Sequence, residues 1–222
     1  MHASFFLSAI ALLPFALAAP QGPPRGPPFR LPRPIRGRQN DTTTPAPEAP
    51  SCDLSGVTQP PNGLAPPAAD LSLVLVALGR GTQNYTCGVN TTAAPSAFGA
   101  VAQLFNASCA ISSNPSADTI SLAAIEDTPV VGSHYFTDVT TPDFDVIGLG
   151  NTQAKKAEEV LAPKPSSDVK WLRLEAQASS TSTVKQIYRL NTVGGLAPGN
   201  CEGRAEGEVV TVAYEAQYWI YA

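Results

Sequence analysis

Once residues 1–18 are set aside, His134 is the one histidine left in the chain, and it stands beside Ser133 and a few residues before Asp138, Asp143 and Asp145. A serine, a histidine and a carboxylate are the parts of a nucleophile–base–orienter relay. These residues are therefore the candidates for an extracellular hydrolase or carbohydrate-active enzyme. Such an enzyme also needs its serine on a sharp turn, usually as G-x-S-x-G, and no such motif occurs. Ser133 and His134 would also point to opposite faces of a shared strand. Asp143 and Asp145, two residues apart, fall on one strand face, as paired glycosidase carboxylates or calcium ligands would. They also flank Phe144 just after Thr141-Pro142, where aspartates commonly cap turns. A histidine satisfied within a sheet and turn-capping aspartates are the preferred reading. No catalytic residue is assigned, and His134, Asp138, Asp143 and Asp145 remain candidates only.

The second chemical possibility is Gly79-Arg80-Gly81-Thr82-Gln83-Asn84. A dinucleotide fold places such glycines between a strand and a helix, so that pyrophosphate meets free N–H groups at the helix start. Here Asn84 stands where glycine or alanine belongs, and Tyr85-Thr86-Cys87 reads as strand. The two glycines are expected to form a hairpin turn or bulge between two strands, and no cofactor is assigned.

Cys52, Cys87, Cys109 and Cys201 make an even count, which in a secreted chain reads as two disulfides. Zinc is the rival, but no C-x-x-C or H-x-x-x-H spacing exists, so no metal site is assigned. Four N-x-S/T acceptors occur, at Asn40, Asn84, Asn90 and Asn106. If they are used, the region around Cys87 and Cys109 faces solvent, because a glycan cannot be buried.

The elements that position these residues are mostly strands. Leu71, Leu73, Leu75 and Ala77 share one face while Val74, Val76 and Leu78 line the other, so this strand is expected to be covered on both sides. Ala100 to Phe105 and Ile120 to Ile125 are weaker strands or short helical turns. His134 to Asp138 and Phe144 to Ile147 flank the turn-forming Thr141-Pro142-Asp143. Lys155 to Leu161 has helix-forming composition. Trp171 to Ala176 and Val184 to Leu190 suit a hairpin around the Ser/Thr-rich residues 178–183. In the last and longest strand, Val209 to Tyr221, Val210, Val212, Tyr214, Ala216, Tyr218 and Ile220 form one face, and Thr211, Glu215, Gln217 and Trp219 the other. Many short strands with Gly/Pro/Ser punctuation predict an all-β fold, a single antiparallel sandwich or barrel with minor helical turns. Aromatics at strand spacing, such as Trp171 and Trp219, read as core or cross-strand pairs before they read as a sugar-stacking platform.

The N-terminal part is of a different kind. Residues 4–18 form a short apolar block ending Ala16-Leu17-Ala18, the pattern of a secretory signal cleaved after Ala18. At about 20 residues a membrane anchor would be longer, and Pro14 interrupts this block. Residues 19–62 are Pro-rich with few apolar side chains, the composition of a disordered, extended stalk, and the folded domain is placed at residues 63–222. Five arginines lie between Arg25 and Arg38, whereas from Cys52 onward 9 basic and 16 acidic residues leave a net charge of −7. An acidic domain is a poor partner for nucleic acid. Cell-wall polysaccharide or a host surface are the partner classes left open for a secreted or wall-associated protein without a membrane span.

The strings GRGTQNYTC, GSHYF, DVKWLRL, IYRLNTVGGLAPGNCEG and YEAQYWIY resemble a family of secreted fungal proteins with bacterial relatives, catalogued as a domain of unknown function, over about Leu64 to Ala222. Fungal members often carry the label malate dehydrogenase. The failed cofactor fingerprint, the signal peptide and the cysteines give that label no support. The resemblance implies Cys87 paired with Cys201, hence Cys52 with Cys109, and it supplies no catalytic residues. The reading that follows is a non-catalytic extracellular binding or surface domain, with an extracellular hydrolase as the alternative.

Overall fold

The computed structural model describes residues 52–119 and 129–222. The expected signal, residues 19–51 of the expected stalk, Asn40, and the whole weak element at Ile120 to Ile125 lie outside the described residues. Eight strands and one short helix follow in order: β1 (Leu73–Thr86), β2 (Ser96–Asn106), α1 (Ser108–Ser113), β3 (Val130–Asp138), β4 (Thr141–Val146), β5 (Gly150–Val160), β6 (Trp171–Ala176), β7 (Gln186–Gly194) and β8 (Val209–Tyr221). Each strand pairs antiparallel with the next, and β8 returns to pair with β1 from Leu73↔Tyr221 to Thr86↔Val209. The sheet thus closes into an up-and-down barrel, the barrel member of the predicted pair. Closure removes the exposed strand edges that an open sheet would leave.

Alternation decides what goes inside. Leu75 and Ala77 of β1, Ala100, Ala102 and Leu104 of β2, Phe144 and Val146 of β4, and Tyr214, Ala216, Tyr218 and Ile220 of β8 form the interior cluster. The opposite faces of β1, β7 and β8 carry a second core of Val76, Leu78, Tyr188, Leu190, Trp219 and Tyr221. That outer core is covered by α1 through Ile111 and by an N-terminal strap through Val57, Leu64 and Leu71. The Tyr188 hydroxyl donates to Ala65 O at 2.9 Å, and Ser72 and Ala222 exchange backbone bonds at 2.9 and 3.1 Å. Cys52–Cys109 ties the strap to α1. Strap residues from Cys52 on, Val57 among them, thus pack against the barrel.

Gln217 sits on the outer face of β8 and is fully buried there. It donates to Ala117 O and accepts from Asn191 and Trp219 at 2.9, 3.0 and 3.2 Å, so its amide is satisfied without water.

Three local expectations are corrected. Leu71 and Leu73 do not share the inward face of Leu75 and Ala77, because the β1–β8 register shifts between Leu73 and Leu75 and both leucines pack on the outer core. Gly79 and Gly81 make no turn, because β1 runs unbroken through them. A Cβ at Gly79 would come within 2.4 Å of the Tyr218 ring, and one at Gly81 within 1.9 Å of Val101 O. The glycines serve close approach, which is the other reason a strand keeps one. The Lys155 to Leu161 stretch is no helix; all but Leu161 belong to β5. Lys155 lies opposite Glu175, and Glu158 pairs with Arg173 at 2.8 Å. Seven residues of helix are marginal alone, whereas the neighbouring strand offers charge partners and a complete backbone ladder.

Candidate functional site

At one end the barrel is filled. Leu75, Val146, Val184, Ile187 and Ile220 are buried there, with Leu149 packed against them. At the other end, formed by the C-terminal halves of β1, β3, β5 and β7 and the starts of β2, β4, β6 and β8, a cavity of about 550 Å³ opens. Its walls are Phe136, Pro142, Val169, Leu172, Leu174 and Leu196, and its polar groups are Gln83, Tyr85, His134, Arg189 and Tyr218. Lys156, Glu159 and Lys170 also line it. The volume falls within the range of about 300–1,000 Å³ usual for small-molecule sites.

In the ladder around it Ala77 and Arg189 both lie opposite Tyr218, and Ala102 lies opposite His134. Cys87–Cys201 ties the segment after β1 to the segment before β8, with Tyr85 and Val210 packed on it at this same end. Cys201 N–H also donates to Thr91 O at 2.8 Å. The two disulfides follow the pairing implied by the resemblance. The Cys87–Cys201 link braces the mouth.

His134 projects into the barrel, 3 % exposed, and stacks on Phe144 with ring centroids 4.1 Å apart. Its Nδ1 lies 2.8 Å from Asp143 O. A carbonyl only accepts, so Nδ1 carries the hydrogen and Nε2 is a bare acceptor. Burial pushes the imidazole down to about 4, against the raising effect of the Asp143 carbonyl and with a further lowering by the Arg189 charge. It is neutral near pH 7.

The predicted carboxylates lie elsewhere. Asp138 caps the β3–β4 turn through Thr140 and Thr141 at 2.7 and 2.9 Å. Asp143 and Asp145 cap no turn, because Thr141-Pro142-Asp143 opens β4 and the turn falls at Val139-Thr140; they alternate with the inward Phe144, so their carboxylates are on the outside of the sheet, where Asp143 accepts from Asn151 Nδ2 at 2.6 Å. Ser133 likewise alternates out. The fold brings His134 to the Asp143 backbone and to none of the candidate carboxylates. Among the described residues no three His, Cys, Asp or Glu side chains gather where a metal could sit.

Arg189 is the residue the sequence reading passed over. It shares the inward face of β7 with Ile187, and its Nε and Nη2 donate to Lys170 O at 3.2 and 2.9 Å. Its charge acts on Tyr85, His134, Tyr214 and Tyr218, the last of which it also hydrogen-bonds. Burial pushes the phenols of Tyr214 and Tyr218 up, and the two hydroxyls meet at 2.9 Å. The signal was available: in Ile187-Tyr188-Arg189-Leu190 a charge occupies the alternation position of an interior residue. At the rim, Glu159 pairs with Lys156 at 2.6 Å and with Lys170, and these hydrogen bonds hold its carboxyl down to about 2.

Of the glycosylation acceptors, Asn90 lies exposed in the β1–β2 connection, with its Oδ1 accepting from Thr92. Asn84 is on the outer face of β1, half-buried. Asn106 is also half-buried, accepts from Ser108 N at 2.9 Å, and the Ser108 of its own acceptor triplet is buried under Val76.

No helix among the described residues is long and apolar enough to cross a membrane. A family model described as "Protein of unknown function (DUF3455)" matches residues 67–222, most of the chain, and the chain belongs to that family. Neither a curated protein nor a solved structure matches it.

Proposed function

We propose that this member of the family is a secreted, glycosylated and non-catalytic binding protein, working outside the cell at a wall or host surface, whose barrel mouth takes up a small ligand. The observation that carries the reading is the cavity of about 550 Å³, apolar in its walls and convergent in a few polar groups, at the one unfilled end of a closed barrel. Support for the compartment comes from the two disulfides, which persist in oxidising surroundings, and from the apolar block ending at Ala18. Among the described residues Asn90 is the exposed glycan position, with Asn84 and Asn106 half-buried. The hydrolase alternative loses ground because none of Asp138, Asp143 and Asp145 reaches His134, and the carboxylate that does line the cavity, Glu159, is engaged by Lys156 and Lys170 at the rim.

The test uses the full chain expressed through a eukaryotic secretory pathway, with an uncharged apolar probe, decan-1-ol, titrated by calorimetry. The wild type should bind it, and Ala97→Trp, which plugs the exposed lip of the mouth, should not. Equal binding by both, or by neither, rejects the cavity as the site. Hydrolysis of ester or glycan substrates that disappears in His134→Ala with folding intact would replace this reading with the enzymatic one. A mass decrease after N-glycosidase treatment, lost largely in Asn90→Gln, checks the glycan assignment.

A further inference from the structure

The cavity has the wrong sign for its domain. From Cys52 onward the chain carries a net charge of −7, yet the side chains lining this one space include Arg189, Lys156 and Lys170 against the single carboxylate of Glu159. Lys156 and Lys170 are both drawn onto Glu159 at the rim. Arg189, deeper and half-buried, has no carboxylate partner among the described residues. Two of its donors go to the Lys170 carbonyl and it also hydrogen-bonds Tyr218, while a guanidinium has five donors. Gln83 adds a buried Nε2 donor that finds no acceptor among the described residues. A buried donor without a protein partner is an anomaly that an acceptor from outside would resolve. Around these donors the walls are apolar: Phe136, Val169, Leu172, Leu174 and Leu196.

From this juxtaposition we infer that the barrel mouth is a site for an amphiphilic organic anion, a carboxylate with an apolar body, whose head group pairs with Arg189 and accepts from Gln83 while its body lies along Phe136, Leu172 and Leu174. A guanidinium suits a carboxylate because its paired N–H groups match the two oxygens. The surrounding low-dielectric walls strengthen that pairing and disfavour a second cation. Neutral His134, with its bare Nε2, adds no competing charge, and the Tyr218 hydroxyl beside Arg189 can turn either way toward the head group. The inference rests on the binding-barrel reading and specifies its ligand class.

The experiment compares decanoate with decan-1-ol at neutral pH, below their aggregation limits, on the wild type, Arg189→Met and Arg189→Lys, each variant checked by thermal melting. The wild type should bind decanoate at least tenfold more tightly than decan-1-ol. Arg189→Met should erase that preference, and Arg189→Lys should restore part of it. Should Arg189→Met melt early, Arg189→Gln, which keeps a donor for Lys170 O, carries the same comparison. If neither probe binds the wild type, the binding-barrel reading falls and takes the inference with it. If decan-1-ol binds as well as decanoate, or the preference survives the loss of the guanidinium, the barrel reading stands and the carboxylate inference is overturned.

Discussion

The two ends of the barrel are made from the same eight strands and differ in what their inward positions carry. At the filled end Leu75, Val146, Val184, Ile187 and Ile220 interdigitate as an ordinary apolar core. At the open end the inward positions carry polar heads, namely His134, Arg189 and Tyr218, beside apolar walls such as Phe136, Leu172 and Leu174 that stop short of closing the mouth. The first pattern removes apolar surface from water completely. The second leaves space and unspent hydrogen-bonding capacity. The division is affordable because the outer core of Trp219, Tyr188, Leu78 and Ile111 supplies packing independent of the interior. Stability is thus concentrated at one end and on the outside, which frees the mouth for recognition.

Substitutions at the two ends should separate accordingly. Ile220→Ala should cost about 2–5 kcal/mol in denaturant unfolding, since a buried side chain is lost and a cavity left. If it costs no more than a comparable truncation at the mouth, the contrast between the ends is wrong. Next in size is the acid sensitivity of His134, whose pKa is displaced from 6.5 to about 4 by burial. Above pH 6.5 the histidine is neutral in both folded and unfolded chains, and its contribution to stability is complete. Between 6.5 and about 4 only the unfolded chain takes up the proton, so stability falls as the pH is lowered, by up to about 3 kcal/mol at roughly 1.4 kcal/mol per unit. Unfolding midpoints measured from pH 7 to pH 4.5 should fall in the wild type and flatten in His134→Asn. A wild-type profile that is already flat would mean that water reaches the ring. Glu159 acts lower: its carboxyl, held at about 2, loses its contribution only as the pH drops below the usual 4.5, and solvent screening keeps that contribution small.

Leu172→Ala, at the half-buried cavity wall, should change unfolding free energy by about 1 kcal/mol or less while weakening decan-1-ol binding severalfold. A loss as large as that of Ile220→Ala would show that the mouth is core after all. The smallest effect belongs to Lys155→Ala, which removes an exposed partner of Glu175 at 3.8 Å and should shift stability by no more than a few tenths of a kcal/mol. Equilibrium unfolding with replicate errors below that figure decides it.

Much of the fold was legible because it depends on local alternation. The two faces of β8, and of β1 from Leu75 on, could be written down from Leu75/Ala77 against Val76/Leu78 and from Tyr218/Ile220 against Gln217/Trp219, since a strand turns every second side chain over. The same alternation put Leu71 and Leu73 on the wrong face, because a register shift before Leu75 is invisible to it. The other two misreadings share one cause. Glycines at 79 and 81 resemble a turn until the Tyr218 ring and the Val101 carbonyl, more than a hundred and about twenty residues away, are seen to occupy the space a Cβ would need. Lys155 to Leu161 resembles a helix until β6 supplies Glu175 and Arg173 across the ladder. In both cases a partner remote in sequence outweighs a local preference.

The candidate site divides in the same way. Composition, the cysteine count, the N-terminal apolar block and the strand periodicity belong to the chain as written, and they determined an all-β domain with the marks of an oxidising compartment. Barrel closure, the choice of filled and open ends, and the meeting of Arg189, Gln83, His134 and Tyr218 were decided only by tertiary structure. These residues come from β7, β1, β3 and β8, and their neighbourhood exists only once β1 and β8 pair. Sequence proximity grouped His134 with Asp138, Asp143 and Asp145. The pleat then sent the carboxylates of Asp143 and Asp145 to the other side of the sheet, and the β3–β4 turn claimed Asp138.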